Sequence, residues 1–159
     1  MTTRKLVKLL PPAAVFAMLI AGMLVADGQQ PTPKKVKKLI HLDAGQADPN
    51  ANGIAKIMMK NKGNAFQRFQ LVGANLKTGT SYTLVVDGAS IATKTSASEQ
   101  GGADGTGGAV EFIYFKDAEG DSEEGSEPLP AALDPVTNIK HVELQDDKKA
   151  VVLSGDFPQ

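Results

Sequence analysis

Ser81-Tyr82-Thr83-Leu84-Val85-Val86-Asp87-Gly88-Ala89-Ser90-Ile91-Ala92 decides the class of fold. Tyr82, Leu84 and Val86 alternate with Thr83 and Val85, the period of two that belongs to a strand with one buried face. Asp87-Gly88 follows at once. A two-residue type I′ turn needs positive φ at both central positions, and this pair adopts it at low cost. The return strand, residues 89–94, carries Ile91 to the same interior. A β-hairpin is therefore expected over 81–94.

The same period extends in both directions from this hairpin. Upstream, residues 36–44 turn Ile40 and Leu42 one way and Lys37, His41 and Asp43 the other. Residues 54–60 send Ala55, Ile57 and Met59 inward, with Lys56 and Lys60 outward. Residues 65–72 offer Phe69 and Leu71 as core, with Gln67 on their face. Phe66 breaks that alternation, which points to a bulge or to a strand covered on both sides. Downstream, Ala109-Val-Glu-Phe-Ile-Tyr-Phe115 is apolar enough for a central strand. A last hairpin pairs 139–145 with 149–154 across Asp146, Asp147 and Lys148. Roughly eight short strands bounded by Gly and Pro predict an all-β fold, a single antiparallel β-sandwich over residues 36–159. Two longer connections interrupt it: 95–108, rich in Gly, Ser and Ala, and 117–130, acidic and ending in Pro128-Leu129-Pro130.

The N-terminus reads differently. Arg4, Lys5 and Lys8 precede an apolar run from Ala13 to Ala26, shorter than a typical membrane span. Ala26 and Gly28 stand where a signal peptidase requires small residues. Residues 1–28 are expected to form a signal helix, cut before Gln29. Residues 29–35, with Pro31 and Pro33, then form a tether. The competing expectation is an uncut anchor formed by residues 9–26, which would hold the chain at a membrane. Export places the domain in a periplasm or outside the cell.

Composition narrows the functions available. The chain has no cysteine, so disulfides, thiolate metal sites and cysteine nucleophiles are excluded. Of 17 basic and 18 acidic residues, Arg4, Lys5, Lys8 and Asp27 belong to the leader, which leaves 14 and 17. A mildly acidic domain lacks the clustered cations that nucleic-acid binding needs.

Around Tyr82, Leu76-Lys-Thr-Gly-Thr-Ser-Tyr82-Thr-Leu-Val-Val86 resembles the tyrosine-corner stretch of fibronectin type III and related sandwiches. The resemblance implies that the Tyr82 hydroxyl bonds back to nearby backbone. The wider order is a Gly-x-Ala strand, a Leu-x-x-Gly-Thr-x-Tyr strand and then Val-Asp-Gly. It is similar to exported chordin-like domains and to the extracytoplasmic domains of anti-sigma factors. These likenesses bear on architecture and not on activity.

Four features are candidates for chemistry. His41 and Asp43 share one face of the first strand, and His141 and Glu143 share one face of a late strand. If those strands are neighbours, the four side chains form a Zn²⁺ or Cu²⁺ site. Otherwise they are the polar exterior that alternation demands. Asp117, Glu119 and Asp121 open an acidic run whose oxygens suit Ca²⁺, although the spacing is not that of an EF-hand. The alternative is a solvated loop. Gly101–Gly108 is glycine-rich, but no Lys-Ser or Lys-Thr and no helix follow it, so it is not a P-loop. Lys34, Lys35, Lys37 and Lys38 form a basic cluster that can meet anionic lipid or polymer.

No serine lies in a nucleophile elbow. The chain is expected to be a non-catalytic module without a resident cofactor. It would bind a protein or a surface polymer through loops 95–108 and 117–130 and through exposed strand edges. The alternatives are a metal-binding exported protein and a membrane-anchored envelope sensor.

Overall fold

The computed structural model describes residues 35–60, 66–98, 107–117 and 125–159. All of them lie in one compact unit, Thr32–Gln159. The expected signal helix lies outside the described residues. Among those residues no helix is long and apolar enough to cross a membrane.

The fold is all-β. The strands are β1 (Val36–Ala44), β2 (Asn52–Lys60), β3 (Phe66–Leu76), β4 (Ser81–Val86), β5 (Ala89–Thr95), β6 (Ala97–Ser98), β7 (Gly108–Asp117), β8 (Glu127–Pro128), β9 (His141–Gln145) and β10 (Val151–Asp156). They form one sheet in the order β5-β4-β9-β10-β1-β2-β3-β7-β6, with β8 alongside β7. Every pairing is antiparallel except the short β7–β8 contact.

Two places bend this sheet into a near-barrel. The start of β1 pairs with β2, from Val36 opposite Met59 to Leu42 opposite Gly53. Its last residues pair with β10, Asp43 opposite Ser154 and Ala44 opposite Leu153. At the other corner, β5 at one end of the order runs through Ser96 into β6 at the other end. Ser96 is 3 % exposed, and its hydroxyl donates to the carbonyls of Lys77 and Thr80. Those bonds pin the bend and satisfy a buried polar group that would otherwise be costly.

Alternation fills the interior. Ala55, Ile57, Phe69, Leu71 and Phe112 from β2, β3 and β7 face Leu84, Val142, Leu144 and Leu153 from β4, β9 and β10, and all belong to one cluster. Each large apolar side chain fully buried there contributes roughly 1.5–3 kcal/mol. The two halves approach closely at Gly53 and Gly73, which are cross-strand partners. A Cβ on Gly53 would lie 2.9 Å from Leu153 Cδ1, and one on Gly73 would lie 3.1 Å from Leu144 Cδ2. Glycine leaves the space those two leucines use.

The hairpin around Asp87-Gly88 has φ of 48° and 83° at its two turn residues. The Asp87 carboxylate also accepts from the backbone N–H of His141 at 2.8 Å and of Lys140 at 3.1 Å. The turn is thereby tied to the start of β9. Tyr82 is 2 % exposed, and its hydroxyl accepts from the Lys77 N–H at 3.1 Å, a bond back to backbone five residues upstream. Burial raises the Tyr82 pKa, and the Lys77 bond opposes that shift.

Phe66 needs no bulge. The β3–β7 register is unbroken from Phe66 opposite Asp117 to Gly73 opposite Val110, and the shift comes later, before Leu76 opposite Gly108. Phe66 points outward, edge-on to Phe115 at 5.1 Å, with the Lys60 ammonium 4.5 Å from its ring centroid. That strand is covered on both faces at this end.

One closure has no counterpart in the sequence reading. Residues 129–139 cross the end of the barrel where β1 begins, through 3₁₀ turns at Ala131–Leu133 and Val136–Asn138. Leu133, Val136 and Ile139 plug that end, at 1 %, 0 % and 2 % exposure. Gln67, fully buried, holds the plug: its Nε2 donates to Asp134 at 2.7 Å and its Oε1 accepts from the Val136 N–H at 2.8 Å.

Candidate functional site

The four side chains considered for a Zn²⁺ or Cu²⁺ site are divided by a strand. β10 lies between β1 and β9, so Asp43 and Glu143 both stand opposite Ser154, one on each side of it. Adjacent strands are about 4.8 Å apart, which separates those two backbones by roughly 10 Å. His41 is paired with Ile54 on the β2 side. Among the described residues no group of three or more His, Asp or Glu side chains is placed to hold a metal ion. Asp117 ends β7, whereas Glu119 and Asp121 lie outside the described residues.

His141 has closer company. Its Nδ1 lies 2.7 Å from Asp156 and its Nε2 3.1 Å from Glu143, whose other oxygen accepts from Gln145 at 2.7 Å. The Asp156 bond raises the imidazole pKa, Glu143 adds to the rise, and partial burial opposes it. Both ring nitrogens are engaged, so this ladder staples β9 to β10 and leaves no lone pair directed at a substrate.

Asp134 is held by Lys116 at 2.6 Å and by Gln67, and these two bonds, Lys116 first, lower its pKa. Tyr114 is the opposite case. It is 2 % exposed, its hydroxyl has no hydrogen-bond partner among the described residues, and burial, reinforced by Glu127, pushes its pKa up to about 12.

At the barrel end away from the plug, a hollow of about 280 Å³ is lined by Asp48, Lys77, Tyr82, Asp146 and Lys148, among others. Two of its three acids are already used locally. Asp146 accepts from the N–H of Lys148 and Ala150, and Asp48 accepts from that of Asn50. These are turn bonds that fix loop shape.

The outer face of β1–β2–β3–β7 departs most from expectation. Register places its residues in rows: His41, Ile54, Val72, Glu111; then Leu39, Lys56, Gln70, Ile113; then Lys37, Met58, Arg68, Phe115. A solvent face should be polar by alternation. Here Leu39, Ile54, Met58, Val72 and Ile113 stay at least partly exposed. Leu39 is 49 % exposed and is the only exposed large hydrophobic among the described residues. A hollow of about 200 Å³ opens at one end of this face, lined by His41, Asn52, Gly53, Ile54, Val72 and Ala74. The sequence carried part of the signal: Ile54 and Met58 sit at the outward positions of β2, next to Lys56 and Lys60.

No protein-family model, no curated protein and no solved structure matches this chain.

Proposed function

We propose that this chain is an exported, non-catalytic binding module whose working surface is the outer face of β1–β2–β3–β7. The supporting observation is the band Leu39, Ile54, Met58, Val72 and Ile113 on the side of the sheet turned away from the core. Apolar side chains left partly exposed together on one face of a domain are characteristic of an interaction site. Met58 in this band and Phe66 on the same face are of residue types enriched at interfaces. A broad face suits a wide partner surface, such as that of a protein or a surface polymer. We read the architecture as sandwich-like, with the halves meeting where Leu144 and Leu153 enter the space beside Gly53 and Gly73.

Radical footprinting tests the reading. Met58 and Met59 are neighbours that point to opposite faces of β2, since Met59 packs against the core. In the native envelope fraction Met58 should oxidise more slowly than in the purified protein, with Met59 unchanged. Equal Met58 oxidation in both samples would remove this face as the working surface.

A further inference from the structure

Charge is not spread evenly over the outer face, and its direction identifies the occupant. Antiparallel pairing brings the start of β1, the end of β2 and the start of β3 to one end of the sheet. Lys35, Lys37, Lys56 and Lys60 gather toward that end. Glu111 and Asp43 stand toward the other, and Glu111 already accepts from Gln70 at 2.7 Å. Arg68 and Asp117 also stand toward the lysine end, each with an interaction of its own, so the end stays net positive. Leu39 sits among the lysines, one residue past Lys38 and directly opposite Lys56. The lysine end is also where β1 begins.

A second copy is a poor occupant, because stacking in the same direction sets lysine ends together and stacking in reverse offers the lysines only Asp43 and Glu111. A surface with anionic groups and an apolar layer behind them satisfies both the lysines and Leu39. We propose that the lysine end of this face seats on an anionic lipid bilayer, with Leu39 and Met58 entering the headgroup–acyl boundary and Lys37, Lys56 and Lys60 among the headgroups. This rests on the reading that the outer face is the binding surface, and it names the partner as lipid. The apolar stretch Ala13–Ala26 is not required for the contact.

The full chain contains no tryptophan, so L39W installs a single fluorescent reporter. T93W, on exposed Thr93 of β5, is the matching control away from the face. Each full-length variant is mixed with vesicles containing phosphatidylglycerol and brominated acyl chains, and separately with phosphatidylcholine vesicles. L39W emission should shift to the blue and be quenched only in the anionic vesicles, while T93W stays unquenched. Adding K37Q and K56Q should weaken the L39W response about 5-fold for each lysine removed, and raised salt should weaken it further. Unquenched L39W on vesicle-bound chain overturns lipid seating, whatever the leader does, as does equal quenching in both lipids or equal quenching of T93W. If L39W is unquenched while Met58 is still protected in the envelope fraction, the outer face is a binding surface for a protein or polymer and lipid is excluded.

Discussion

Gln67 gives the sharpest test of how the barrel is closed. Gln67→Leu keeps the volume and removes both bonds to the plug. The Asp134 carboxylate is at the surface and regains water, so its loss counts for little. The Val136 N–H is buried and loses its acceptor at 2.8 Å. An orphaned buried donor costs about 1–3 kcal/mol, partly offset by burying leucine in place of an amide. The expected net loss is about 1–2 kcal/mol. For a domain of this size that lowers the melting midpoint by roughly 3–10 °C. The assay is thermal unfolding followed by far-UV circular dichroism, with Gln70→Leu as control. Gln70 is on the outer face, and its bond to Glu111 is exposed, so its loss should move stability by no more than about 0.5 kcal/mol. An unchanged midpoint for Q67L, or an equal fall for Q70L, would refute the argument that Gln67 fastens the plug.

Three further outcomes follow. Tyr114→Phe removes a buried hydroxyl that has no partner among the described residues and should raise stability by about 1 kcal/mol in denaturant titration; a loss would mean the hydroxyl is satisfied in solution. His141 has a raised folded pKa, so its contribution is complete below the unfolded value near 6.5 and fades as pH rises through the folded value. With the side chain 38 % exposed, screening limits this to between a few tenths and about 1 kcal/mol. Urea midpoints should therefore fall from pH 5.5 to 8.5 more in the wild type than in H141N. Gly88→Ala places a Cβ at φ 83°, and should cost roughly 1–2 kcal/mol by the same titration, against little change for Ser90→Ala two residues later.

Much of the strand content was legible because it rests on local pattern. Tyr82, Leu84 and Val86 alternate with outward residues, and Asp87-Gly88 accepts the positive φ that a tight hairpin imposes. Gln67 was readable as facing inward, but its partners were not, since Asp134 and Val136 approach only after the chain crosses the barrel end. The separation of β1 from β9 was equally hidden. Alternation fixes the face a histidine occupies, and strand order, set by long-range pairing, decides what it meets. The corner at β5–β6 depends on Ser96 bonding to Lys77 and Thr80, contacts that no periodicity encodes. The outer face was half legible. Phe66 broke the pattern visibly, yet Leu39, Ile54, Val72 and Ile113 form one surface only when β1, β2, β3 and β7 lie side by side in register.

The central claim is that this surface works by contact. Its most direct test is a photo-crosslinking amino acid placed in the full chain at position 39, 54 or 113, and separately at position 93, irradiated in intact cells. The account predicts adducts in the exported fraction, to protein, polymer or lipid, from the first three positions and not from the fourth. Equal yields from both sides of the barrel, or none from the outer face of β1–β2–β3–β7, would contradict it.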